Sequence, residues 1–180
     1  VKGVVFGLFE QAYVREHGDD AWDDLLDAAG LAGAYTSLGS YPDDDLGRLV
    51  EQAAVTLGQP PQDVIRWLGL RSLPALAASF PSLFEAHSNT RSFLGTVNEI
   101  IHPEVRKLYP GADVPWFGFS TTPDGDLVMV YQSQRRLCAF AEGLILGAAA
   151  HYGEPVSVVQ PRCMLHGDPT CELVVHLGPA

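Results

Sequence analysis

Two groups of residues in this 180-residue chain have the types and spacing to do chemistry. The first is Tyr131-Gln132-Ser133-Gln134-Arg135. Side chains at i, i+2 and i+4 of an extended segment share a face, so Tyr131, Ser133 and Arg135 are expected to point the same way. Two hydroxyl donors beside a guanidinium fork suit a pair of carboxylates, which Arg grips bidentately while the hydroxyls cover the remaining lone pairs. The plainer alternative is a solvated strand face at the start of a helix. The second group centres on His102, which follows the apolar helical positions Val97, Ile100 and Ile101. A neutral imidazole there is either a packed histidine or an iron or other metal ligand. Pro103 behind it removes a helical hydrogen bond and constrains the backbone that presents the ring.

The elements that must position these groups can be read from periodicity. Residues 2–16, about 21–29, about 44–57 and about 61–79 have helical patterns, the first two stopped by Gly18 and Gly30 and the last opened by Pro60-Pro61. Pro74 is expected to kink or divide the last of them. A single long helix is expected from Asn89 to about Leu108, with Pro110-Gly111 after it. Beyond residue 114 the pattern changes to strands at 116–121 and 127–133, joined by a turn at Thr122-Pro123-Asp124-Gly125. A helix at about 135–152 and strands at about 155–163 and 171–177 complete a β-β-α-β-β half. The expected class is α+β in one domain spanning 1–180, helical to about 112 and sheet-containing from about 113.

Hydrophobic residues make up 47% of the chain and charged ones 18%, a globular balance with enough material for a core and a pocket. The formal net charge of −11 argues against nucleic acid and anionic membrane as partners. The acidic runs at Asp19-Asp20 and Asp43-Asp44-Asp45 fall where helices begin and favour their dipoles. No apolar run approaches a bilayer span, and the N-terminal residues lack a signal-peptide cleavage site, so a cytoplasmic location is expected.

His102, Pro115 and Tyr131-x-Ser133-x-Arg135 together resemble the signature of H-NOX (haem nitric oxide/oxygen binding) domains. The likeness runs from Lys2-Gly3 to the last strand and includes His102-Pro103-Glu104-Val105-Arg106-Lys107-Leu108-Tyr109-Pro110-Gly111-Ala112. It implies the H-NOX fold, with haem b held between a helical part and an antiparallel sheet. His102 would be the proximal iron ligand, Tyr131, Ser133 and Arg135 would hold the two propionates, and Pro115 would press on the porphyrin. Val5 and Phe9 would cover the distal face. Oxygen-binding members of the family carry a distal Tyr on the helix after the signature; the matching position here is Phe140, and Leu144 and Phe9 are equally unable to donate. The resemblance therefore implies a sensor of nitric oxide and, more weakly, carbon monoxide, with oxygen excluded. Tyr13, Tyr35 or Tyr41 turning inward would reverse that and make an oxygen sensor. The effector would be a separate histidine kinase or cyclic-di-nucleotide enzyme, and no catalytic residue is expected in this chain.

Cys138, Cys163 and Cys171 are an odd number, which argues against a disulfide framework. They could meet if the 135–152 helix packs on the last hairpin, and thiolates so gathered hold zinc. One branch of the family has a structural zinc on three Cys and one His, but its His position, three residues before the second Cys, is Gln160 here. His166 or water remains open as fourth ligand, and free thiols or a Cys163–Cys171 redox pair are the alternatives. The Cys163-x7-Cys171 tail also resembles V4R-type ligand-binding modules, a haem-free alternative. A peroxidase would need a distal acid–base pair, which is not evident.

Overall fold

The computed structural model describes residues 1–178. The chain begins with four helices, α1 (Gly3–His17), α2 (Asp19–Ala29), α3 (Asp43–Leu57) and α4 (Pro61–Ser79). Gly30 and Gly58 end α2 and α3 in the left-handed conformation, donating back to the last-turn carbonyls. Acidic residues fill the first turns of both helices, though no side chain caps either one. Two short helices follow, α5 (Pro81–Glu85) and α6 (Thr90–Leu94). Next come a π-helical turn at Val97–Ile101 and α7 (His102–Leu108). The remainder is β1 (Trp116–Thr121), β2 (Leu127–Gln132), α8 (Cys138–Tyr152), β3 (Val156–Arg162) and β4 (Cys171–Leu177). Four antiparallel strands form one sheet in the order β1-β2-β4-β3.

Three expectations need correction. Pro74 does not divide α4, which runs unbroken to Ser79. Proline deprives the Leu70 carbonyl of its usual donor, and that carbonyl oxygen faces Gly147 of α8, where the close approach of the two helices absorbs it. The single helix expected over 89–108 is three pieces. Asn89 caps α6 by accepting from the Ser92 amide at 2.8 Å, and Pro103 has no N–H to donate to the Glu99 carbonyl four residues back. The chain there widens into the π turn, in which His102 N–H reaches Val97 O. Finally, the strand expected over 127–133 stops at Gln132, and the next helix starts at Cys138 rather than 135.

Two apolar clusters fill the interior. One lies among α1–α4 and includes Phe6, Phe9, Leu49 and Leu68, each no more than 1% exposed. The other joins the inner sheet face to α8 and the segment before His102, through Val97, Phe117, Met129, Ile145 and Leu173. Alternation in β4, with Cys171, Leu173 and Val175 all buried, sets that inner face. Phe117, Tyr131 and Cys171 stand opposite one another across β1, β2 and β4 and form one row on it.

Candidate functional site

A cavity of about 610 Å³, within the usual size range for small-molecule and cofactor sites, draws its lining from both clusters. His102, Pro115, Tyr131, Ser133, Arg135, Val5, Phe140 and Leu144 all line it. Phe9 does not. Its ring is wholly buried against Tyr13, Trp22 and Trp67 in the helical core, and Leu8, one residue earlier on α1, meets the cavity instead. The hundred-degree step between helical neighbours turns Phe9 inward when Val5 and Leu8 face the space.

His102 sits at the junction of the π turn and α7, beside Val97, Ile101, Val105 and Phe117, with its ring centroid 6.0 Å from that of Phe117. Burial, helped by the nearby Arg106 charge, lowers its pKa to about 4. The imidazole is therefore neutral across the physiological range, which is the form that ligates a metal.

Tyr131, Ser133 and Arg135 meet the cavity, but not through strand alternation. Beyond Gln132 the chain turns. Arg136 N–H donates to Ser133 O at 3.2 Å, and Arg136 itself adopts φ 53°. The turn folds Ser133 and Arg135 back beside Tyr131. Tyr131 hydroxyl accepts from the Leu137 amide at 3.0 Å, so its own proton is left to donate. Burial raises its pKa and keeps that proton in place. Arg135 donates through Nε to the Asp43 carboxylate and through Nη1 to Asp113, leaving Nη2 without a partner among the described residues. The two ion pairs hold the guanidinium at the mouth without using up its donors.

From α1, α4 and α8 the cavity receives Val5, Leu8, Leu68, Phe140 and Leu144, none with a side-chain donor. The three tyrosines that could have supplied one are committed elsewhere. Tyr13 is 2% exposed within the aromatic group of Phe9, Trp22 and Trp67, and Tyr35 stacks on Phe6 at 4.0 Å between centroids. Tyr41 touches the cavity, but its hydroxyl accepts from the Thr36 amide at 2.7 Å and donates to Ala34 O. Leu8 and Leu68 were missed by sequence reading; their i, i+3 spacing from Val5 and i+4 spacing from Val64 are ordinary core signals.

An apolar slot with one neutral imidazole and a polar mouth of two hydroxyls and a guanidinium fits a flat apolar macrocycle bearing an iron and two carboxylates. Apart from it, Cys138, Cys163 and Cys171 are buried together, with Cys163 Sγ 3.8 Å from Cys138 Sγ and 4.0 Å from Cys171 Sγ. Burial and the neighbouring thiols push Cys171 up to about 12, and burial raises Cys138 as well, so both are thiols in the metal-free chain. Gln160 Nε2 is buried with no acceptor. His166 is exposed on the short 3-10 turn at Met164–His166 and is not part of the group.

Comparison with known proteins agrees with this geometry. The chain matches the Haem-NO-binding family over residues 2–160. An H-NOX protein from S. oneidensis, solved in its Fe(II)NO ligation state, superposes with a TM-score of 0.93 at 30% identity, covering 99% of this chain and 100% of that one. The Fe(II)CO state of the Shewanella oneidensis SO2144 H-NOX domain, at 30% identity and full coverage of both chains, gives 0.89. The Fe(II) unliganded H-NOX protein from K. algicida shares the fold with a TM-score of 0.89 at 22% identity, over 100% of this chain and 98% of that one. No curated protein sequence matches the chain. The chain belongs to the haem-NO-binding (H-NOX) family, whose members are haem-binding gas sensors rather than enzymes.

Proposed function

We propose that residues 1–180 act as one sensor domain that holds haem b, takes up nitric oxide and more weakly carbon monoxide, and excludes oxygen at ambient pressure. The observation that carries this reading is the pairing of a neutral His102 with a helical wall that offers no side-chain donor. When bound, the haem iron supplies the coordination site for a diatomic gas. His102 would be its protein ligand, and Tyr131, Ser133 and Arg135 would hold the propionates. Pro115 would lean on the macrocycle. Val5, Leu8, Phe140 and Leu144 would keep water and hydrogen-bond donors away from the gas, so this wall would offer oxygen no donor.

His102, as the residue that would ligate the iron, would be the link through which this chain feels a bound gas. The segment carrying His102 is then a two-state element biased by the gas. Its reader would be a separate partner, a histidine kinase or a cyclic-di-nucleotide enzyme. The described helices include none long and apolar enough to cross a membrane. Structural zinc at the cysteine group would lack a fourth protein ligand: three sulfurs are present, Gln160 stands where an imidazole would be needed, and His166 lies outside the group. A closed four-coordinate site is not provided by these residues.

The test is the absorption spectrum of the reduced, purified protein under argon, then air, then nitric oxide. A haem spectrum indifferent to air and converted by nitric oxide to a five-coordinate form supports the proposal. A stable oxygen complex would show that a donor reaches the helical wall. Failure to take up haem after reconstitution would refute the whole reading.

A further inference from the structure

The segment that carries His102 is weakly held by its own helix. In the π turn the Ile100 and Ile101 amides both donate to Thr96 O, at 2.9 and 3.2 Å. His102 reaches back to Val97 O, and Pro103 donates nothing. No residue of α7 is fully buried, His102 itself being half-buried. Something else has to fix where the imidazole stands. Beside the buried Val97, a contact to the sheet is made by the side chain of Asn98, which lies outside the cavity lining. Its amide nitrogen donates to Phe117 O at 2.5 Å, and its oxygen accepts from Phe117 N at 3.3 Å.

Phe117 lies on β1, an edge strand paired only with β2. A single carboxamide thus satisfies two outward main-chain groups of that edge, as a neighbouring strand would. The residue it grips is central. The Phe117 ring stands 6.0 Å from His102 and 5.6 Å, edge to face, from Tyr131. One clamp therefore fixes both the imidazole and the aromatic spacer between it and the propionate-binding tyrosine. An asparagine at this point of an exposed helix would otherwise be a poor choice, because its side chain competes for backbone partners.

We propose that Asn98 is a positioning residue for His102, holding the π-turned segment to the free edge of β1 so that the imidazole is aimed into the cavity, and releasing Phe117 when His102 lets go of its partner. The proposal rests on the haem-sensor reading above. It adds the latch that sets how firmly the segment is held. Rotation of the segment away from β1 cannot begin while both hydrogen bonds of the clamp stand.

The experiment uses the haem-loaded full chain and the variants Asn98→Ala and Asn98→Asp. The aspartate keeps the shape and the acceptor but faces the Phe117 carbonyl with a second oxygen, so it guards against an alanine variant that does not fold. The readouts are the resonance Raman iron–His102 stretching band and the rate at which that band disappears after nitric oxide is added. Both variants should shift the band to lower frequency and speed its loss by roughly five- to thirty-fold, the factor that accompanies one or two ordinary hydrogen bonds. In the unaltered protein the Phe117 amide should be protected from hydrogen exchange before nitric oxide and exchange readily afterwards. That measurement needs no variant. Variants that melt earlier but keep the band and the rate would make Asn98 a purely structural residue and overturn the proposal. So would a Phe117 amide whose exchange ignores nitric oxide. An unaltered protein with no iron–His102 band at all would sink the haem-ligand reading itself, and the latch with it.

Discussion

Where α8 crosses α4, two glycines bring the backbones into contact; where the π turn meets β1, one carboxamide spans the gap. A Cβ on Gly143 would lie 2.0 Å from Arg66 O, and one on Gly69 would lie 2.3 Å from Phe140 O. The same crossing is bridged by Arg66 Nε and Glu142, 2.8 Å apart. On the imidazole side no residue of α7 is fully buried and Ile100 is 46% exposed. The helical wall is packed backbone to backbone, whereas the His102 segment fully buries Val97 alone and has an irregular hydrogen-bond pattern. Local stability follows such differences, and segments that move are drawn from the weaker end. Under the proposed function, the pocket walls would stay in place and the imidazole side would be the part to respond.

The comparison is broken most severely by removing the imidazole. His102→Gly is expected to lower haem affinity more than about a hundredfold, beyond the roughly 10–100-fold effect of losing an outer-shell partner. Haem stoichiometry after purification measures it, and added imidazole should restore the iron signal because the slot itself remains. If the variant retains haem with an unaltered iron–histidine band, another residue is the ligand. On the packed side, Gly143→Ala should destabilise the fold by about 2–3 kcal/mol, the upper end for overpacking, since the obstacle is a main-chain carbonyl. Urea denaturation would show this, and a neutral result would mean that α4 and α8 separate easily.

A substitution that leaves the packing alone sharpens the contrast further. Phe140→Tyr places a hydroxyl in the helical wall, and a hydrogen bond to a partly charged ligand is worth about 1.5–3 kcal/mol. Oxygen affinity should rise roughly ten- to a hundredfold, visible as an oxygen complex in air, while the iron–His102 band stays where it was.

The smallest effect is a pH slope in the haem-free chain. His102 is held neutral with its pKa near 4, below the ordinary value of 6.5. Between those limits the unfolded chain binds the extra proton and the folded one does not. This contribution is whole above about pH 6.5 and is lost as pH falls towards 4. Melting temperature should fall over that window, less so in His102→Gln, which carries no titrating ring. Equal slopes in the two proteins would mean that His102 is not buried in its neutral form.

Much of this was legible in the residues. Turn residues marked the β1–β2 and β3–β4 connections, Gly18 and Gly30 ended their helices, and His102 and Tyr131-x-Ser133-x-Arg135 named residues that line the cavity. These signals are local, since capping, turn chemistry and periodicity are each completed within a few neighbouring positions. What the tertiary structure alone decided depends on partners distant in the chain. Ser133 and Arg135 reach the cavity by a turn pinned by Leu137 and by acids at 43 and 113, not by strand alternation. Phe9 turns away because Tyr13, Trp22 and Trp67 take its ring. The grip of Asn98 on Phe117 spans 19 residues, and no periodicity within either segment encodes a hydrogen bond that exists only once both have folded.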